Sequence, residues 1–218
     1  VFSILLFSNW SEAVLWLAAF ATIAFAGIGF LDDYLKVVKK HHGGLSTKQK
    51  LALQALTGIV FAGVLVFVIP GVVSYDVNES TSANSPAFLL LPFFKHLIIP
   101  VGLFFVPFAV VVLMATSNAV NLTDGQDGLA AGVMISSTIC FALIAYLTGR
   151  VDASNYLIIP YVRGAGELAI LLSALCGACF GFLWWNSHPA QVFMGDTGSM
   201  MLGGMLGAVA LLTKQEVL

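Results

Sequence analysis

Charge is scarce in this chain. Asp, Glu, Lys and Arg make up 9% of its 218 residues, against about 25% in a soluble domain. That shortage excludes an ordinary soluble fold. Cysteine is scarce too, and Cys140, Cys176 and Cys179 all fall within apolar runs. The C-x-x-C spacing of the last two has no second ligand pair, so packing residues in a helix interface are expected rather than a zinc or redox site. Low-complexity segments and internal repeats are missing. So is the alternating pattern of a membrane β-barrel. No basic segment with a small-residue cleavage site precedes the first apolar run, so a removable signal peptide is not expected.

What is present is hydrophobic: 59% of the residues. Six stretches, residues 13–31, 51–73, 97–116, 128–148, 168–185 and 199–213, are long and apolar enough to read as transmembrane helices. Helices are the default because lipid cannot satisfy open backbone donors and acceptors. The expected fold is all-α, a polytopic membrane helical bundle forming one domain over residues 1–218. Residues 1–7 read as the tail of a further span, and no Met starts the chain, so a fragment of a longer polytopic protein is expected.

Five of the nine Lys and Arg residues are Lys36, Lys39, Lys40, Lys48 and Lys50. The positive-inside rule makes that loop cytoplasmic. Counting spans then puts residues 74–96 and 149–167 outside, and 117–127 and 186–198 inside. Asp32 with Asp33, Asp124 with Asp127, and Asp196 therefore share the cytoplasmic side. No span centre carries a formal charge. A transporter or channel often keeps ionisable groups within its spans, and a scaffold without chemistry leaves the acidic motifs unexplained. The outer loop after residue 74 is turn-rich and is expected to hold a short hairpin or stay flexible. Its Asn78-Glu79-Ser80 matches a glycosylation pattern only weakly.

Three motifs can carry chemistry. In Gly29-Phe-Leu-Asp-Asp-Tyr-Leu-Lys36, neighbouring helical carboxylates diverge by about 100°. One can face a substrate while the other holds a lysine or a backbone donor. Carboxylates at a helix C-terminus oppose the macrodipole. The structural alternative is a solvated helix end neutralised by Lys36, Lys39 and Lys40. In Ser117-Asn-Ala-Val-Asn-Leu-Thr-Asp-Gly-Gln-Asp-Gly128, glycines after both acids allow close backbone approach to a ligand. Asp124 or Asp127 is also placed to cap the next helix. A calcium loop does not fit, because the other EF-hand ligands are missing. In the third motif, residues 184–199, Gly195 and Gly198 flank Asp196, and Ser199 pairs with it as a cap entering the last helix. His41, His42 and His188 lack a zinc-type companion set. Carboxylates suit Mg²⁺, which takes one or two of them and fills its sphere with water and phosphate. Lysines hold phosphate as point charges. Together the motifs point to phosphoryl transfer at a membrane surface.

GFLDDYLKVVKK with GLSTKQK (residues 29–40 and 44–50), NAVNLTDGQDGLA (118–130) and PAQVFMGDTGS (189–199) carry a resemblance. The chain resembles the polyprenyl-phosphate N-acetylhexosamine-1-phosphate transferase superfamily over essentially its whole length. The lysine-rich first loop and the VFMGDTGS wording favour the phospho-N-acetylmuramoyl-pentapeptide-transferase family within it. That resemblance implies about ten spans, of which six full ones are present here. It implies a multi-pass protein of the bacterial inner membrane, with a Mg²⁺-dependent site on the cytoplasmic face. The implied reaction transfers phospho-MurNAc-pentapeptide from UDP-MurNAc-pentapeptide to undecaprenyl phosphate, giving lipid I and UMP for the cell wall. The neighbouring alternative uses UDP-GlcNAc with the same lipid. By motif, Asp196 would bind the metal and Asp32, with Asp33 beside it, would be catalytic. Asn118, Asn121, Asp124 and Asp127 would line the nucleotide and metal site. Lys36, Asn186, Phe193 and Gly195 match nucleoside-pocket positions, with Phe193 able to stack on uracil, and Ser199 closes the same block. Lys40 and Lys48 match basic positions near the diphosphate or lipid phosphate. Gln126 stands where the family more usually has Leu. The family forms dimers, and no nucleic-acid partner is expected. Two inner loops of the family, one carrying a lysine and one rich in His, lie outside this sequence, so the segment alone is expected to be inactive. Direct attack by the lipid phosphate and a covalent step on Asp32 both remain open.

Overall fold

The computed structural model describes residues 6–38, 44–78, 81–83, 85–91 and 94–217. Lys39, Lys40, His41, His42, Glu79 and Ser80 lie outside the described residues. Six helices there are long and apolar enough to cross a membrane. They are α1 (Ala13–Val37), α2 (Thr47–Gly63, continued by a π turn over Val64–Val68), α3 (Phe105–Thr123), α4 (Leu129–Thr148), α6 (Ala165–Asn186) and α7 (Gly195–Leu212). A short α5 (Val151–Leu157) links α4 to α6. The chain is thus a multi-pass membrane helical bundle. Its lipid-facing side chains include Ile23, Phe67, Val111 and Leu143, each more than half exposed. In water such a surface would aggregate.

Helix α7 is the axis of the bundle. It packs mainly between α1 and α3, α4 packs on α6, and α2 packs on α3. Lipid tails are as apolar as leucine, so close approach of small residues drives this packing. A methyl group at Gly203 would strike the backbone of Thr116 and Ser117, and one at Gly204 would strike the Phe25 ring. Around α7 the main core gathers Phe25, Phe61, Phe105, Leu113, Met200 and Met205. A smaller cluster holds Cys176 and Cys179 with Met134, Ile135 and Leu202. All three cysteines are free, and the two of the C-x-x-C pair are buried in this packing.

The helix directions put two kinds of connection at opposite ends. One end carries strands. There β1 (Val73–Asn78) pairs antiparallel with β2 (Thr81–Ala83) and with β5 (Tyr161–Val162), and β3 (Phe88–Leu91) pairs antiparallel with β4 (Phe94–Pro100). The other end carries the acidic motifs.

Several boundaries differ from those expected of the sequence: α2 starts at Thr47 and its π turn ends at Val68, α6 starts at Ala165, and α7 starts at Gly195, so Ser199 lies inside α7 and does not cap it. Residues 97–100 belong to β4, and α3 runs on to Thr123. Hydrophobicity alone cannot separate a short apolar strand from a helix start, and the break comes where Pro100 and the positive-φ Gly102 interrupt the run. Helix α1 reaches Val37, so Asp32 and Asp33 lie within it rather than after it. Helix α4 begins after Gly128, at φ +75, without a side-chain cap, so neither Asp124 nor Asp127 caps it.

Candidate active site

Four elements converge on Asp196. It sits in the first turn of α7. Its Oδ1 accepts a hydrogen bond from Asn121 Nδ2 of α3 at 2.6 Å. Its Oδ2 accepts one from Lys36 Nζ of α1, also at 2.6 Å. Lys50 Nζ of α2 stands 3.4 Å from the same oxygen. The Lys36 ammonium also lies 2.7 Å from Asp32 Oδ2, so it bridges two carboxylates from different helices. Lys50 reaches Asp32 as well, at 3.5 Å.

Local sequence explains why the lysines arrive there. Lys36 follows Asp32 by one helical turn, the spacing at which side chains meet. Gly44, at φ +58, turns the chain back over α1, and a Cβ there would run into Asp32 and Lys36. The next residue, Leu45, donates its N–H to Asp32 Oδ1 at 2.6 Å. Ser46 and Gln49 then form a reciprocal capping box that starts α2 and sets Lys50 one turn in. The sequence marked Lys50 as one of the loop's orienting lysines and did not place it in the site. The S-x-x-Q box was the signal that could have placed it.

Beside this cluster opens a cavity of about 280 Å³, lined by Asn121, Asp124, Asp127, Asn186, Phe193, Gly195 and Asp196. Phe193 is 74% exposed at its rim. Burial, and then the nearby Asp196 charge, push the Asp124 carboxyl above the usual carboxylate range. Two lining residues also knit the loops together. Asn186 is buried, accepts from Gly128 N–H at 3.0 Å and donates to the Val192 carbonyl at 2.9 Å. Asp127 Oδ2 accepts from Ala190 N–H at 3.1 Å and meets the exposed His188 ring at 3.2 Å. These bonds hold the loop after α6 against the turn after α3.

Other expected site residues sit apart from the cavity lining. Asn118 donates to the Met114 carbonyl and to Gln54 Oε1 of α2, at 2.7 and 2.9 Å. Gln54 is fully buried, and this amide pair fastens α2 to α3. Ser199 is enclosed, accepting from Asn121 Nδ2 at 2.9 Å and donating to the Gly195 carbonyl at 2.9 Å. Lys48 stands exposed on the first turn of α2. Asp33 faces away from the lysines, toward the start of α7. Lys40 lies outside the described residues.

A sequence model of glycosyl transferase family 4 matches residues 15–214, nearly the whole chain and all of this site. The chain belongs to that family. It is 49% identical over 99% of its length to a phospho-N-acetylmuramoyl-pentapeptide-transferase from Desulfotalea psychrophila. Proteins of the same name from Leptospira biflexa and Methylacidiphilum infernorum are 47% and 48% identical, over 97% and 93% of the chain. The chain spans 56%, 56% and 53% of those three relatives. The family match covers α1 to α7, so the bundle and the convergence on Asp196 both lie within it.

Proposed function

We propose that this chain carries much of the active site of an enzyme that moves phospho-MurNAc-pentapeptide from its UDP carrier to undecaprenyl phosphate, releasing UMP and lipid I. The observation that carries the reading is the Lys36 ammonium bridging Asp32 and Asp196 beside the cavity. The names of the relatives support the substrate choice. The basic residues flanking this end support a cytoplasmic site at the bacterial inner membrane.

The donor set fits magnesium. Asp124 and Asp196 present hard oxygens to one cavity, the donor type that Mg²⁺ takes from a protein in ones and twos. Asp196, once Lys36 and Lys50 give way, would hold the ion with Asp124 beside it, where it would offset charge on the diphosphate. The chain's own groups supply the rest. Phe193 offers a flat face for the uracil ring. Lys36 and Lys50 can release their carboxylates to phosphate oxygens, as cationic clamps do in phosphoryl transfer. An oxygen of the lipid phosphate attacks the β-phosphorus, and the bond to UMP breaks. A phosphate monoester loses its second proton near pH 6, so the attacking group needs no base at neutral pH. Asp32 suits a positioning role, because it is 2% exposed and fully engaged with Leu45 N–H and the two lysines.

The deciding experiment incubates the full-length protein with undecaprenyl phosphate, Mg²⁺ and either UDP-MurNAc-pentapeptide or UDP-GlcNAc, with products read by mass spectrometry. UMP with a MurNAc-bearing lipid diphosphate is expected. A GlcNAc-bearing lipid would move the enzyme to the neighbouring branch, and no lipid product from either sugar would overturn the reading.

A further inference from the structure

Helix α7 begins without a cap of its own. Its N-cap residue is Met194, whose side chain makes no capping hydrogen bond. The first N–H groups of a helix have no partner within it, and here those groups carry Asp196. Asp33 of α1 takes the place of the missing cap. Its Oδ2 accepts from Thr197 N–H at 2.9 Å and from Thr197 Oγ1 at 2.6 Å, and its Oδ1 accepts from Asp196 N–H at 3.3 Å. A carboxylate at a helix N-terminus also suits the macrodipole.

One turn earlier on the same face of α1, Gly29 lies against the Asp196 carbonyl, where a methyl group would collide. Residues four apart on a helix share a face. The Asp196 backbone is therefore flanked on both sides by α1, its N–H bonded to Asp33 and its carbonyl lying close against the bare backbone of Gly29. Gly195, at φ +68, brings the chain into this position, and a Cβ there would press to 3.1 Å from Asp33 Oδ2. Asp33 is half-buried and is not among the residues lining the cavity. We propose that Asp33 is a positioning residue: it caps α7 from the neighbouring helix and so aims the Asp196 carboxylate, without touching substrate. The adjacent acids then divide their work, Asp32 holding the lysines and Asp33 holding the helix that bears Asp196. The kinetic part of this inference rests on the transferase reading; the backbone part does not.

The test compares full-length wild type with Asp33→Ala, Asp33→Asn and Thr197→Val. Hydrogen exchange over the start of α7 is read beside kcat, KM for the UDP-sugar and the binding of Mn²⁺ followed by its spin resonance. In Asp33→Ala, exchange at the Asp196 and Thr197 amides should rise about fivefold to tenfold, the scale of a lost helix cap. The same variant should lose kcat and bind Mn²⁺ more weakly, with KM little changed. Asp33→Asn keeps an acceptor oxygen and should fall between wild type and Asp33→Ala. Thr197→Val should lower kcat in the wild type and add nothing in Asp33→Ala, since the hydroxyl contact it removes is already gone there. Unchanged exchange in Asp33→Ala would overturn the proposal. So would an Asp33→Asn enzyme that is inactive with its α7 amides still protected. If Asp33→Ala does not fold, Asp33→Asn and Thr197→Val give the same two outcomes. If the protein transfers neither UDP-sugar, the exchange result alone decides.

Discussion

At its N-terminal end α7 holds Asp196 among Lys36, Lys50 and Asn121, beside an open cavity. Just past its C-terminal end, roughly 27 Å away at the helical rise of 1.5 Å per residue, sits Lys214. Its ammonium is wholly buried. It donates to the Pro86 and Phe88 carbonyls at 3.0 and 2.6 Å and to Glu216 Oε1 at 2.7 Å. The Phe88 and Phe105 rings stand 4.8 and 4.5 Å from it. Burial pushes the Lys214 pKa down and the Glu216 pKa up, against the attraction between the two. Both ends pair acids with lysines, yet to different effect. The Lys36 side chain is 41% exposed and can exchange partners with a ligand. Lys214 has no access to one, and it pins the β3–β4 hairpin to the end of α7. A buried pair can serve as a fastener; a partly open cluster can serve as a site.

This contrast can be broken by asking which end governs turnover and which governs stability. On the proposed reading, Asp196→Asn should lower turnover of the full-length protein with Mg²⁺ supplied on the order of a thousandfold, the scale of losing a main electrostatic stabiliser. Its melting temperature should fall only modestly, because the ion pairs it loses are partly exposed. Wild-type turnover would remove Asp196 from the metal role. Lys214→Met should do the reverse. It strands Glu216 in an apolar pocket and should cost about 3–5 kcal/mol, as breaking a buried pair does. Thermal unfolding in detergent checks this, and adding Glu216→Gln should recover part of the loss. A melting curve unmoved by Lys214→Met would dissolve the contrast.

Two smaller effects sharpen it. Lys36→Ala should raise KM for the UDP-sugar about tenfold, the size of one charge-assisted contact. Binding measured by calorimetry and found unchanged would remove Lys36, which stands beside the cavity and does not line it, from substrate binding. Asp124→Asn should raise the melting temperature slightly at neutral pH without divalent cation, while lowering turnover. The sign follows from linkage. Burial and Asp196 raise the folded pKa of Asp124 above 3.8. Its favourable contribution is therefore complete below the unfolded pKa and is lost as pH rises through the folded one. At neutral pH the ionised carboxylate is a net cost, which the amide removes. The gain should shrink when wild type and variant are compared near pH 4.

Much of the site was readable from the chain because motifs in a membrane protein have few places to go. Asp32, Asp124, Asp127 and Asp196 lie at the ends of apolar runs, and an odd or even count of spans sends each to one surface. Their partners were not readable in the same way. Asp32 and Asp33 are neighbours, and about 100° of helix rotation sends one to the lysines and the other to α7. The amides of Asn118 and Asn121 lie one turn apart, yet one fastens α3 to α2 and the other meets Asp196. Lys214 carried no motif at all, and Lys50 closed the GLSTKQK block without any sign of which acids it meets.

Sequence alone determined that the chain crosses a membrane as helices, and which end collects the three aspartate motifs. Lipid offers no partners to open backbone or to charge, so long apolar runs and terminal carboxylates leave little choice. Only the tertiary structure decided which acid meets which lysine, and which lysine disappears from solvent. Those pairings join residues up to 160 positions apart, through helix rotations and close glycine contacts that no local pattern specifies.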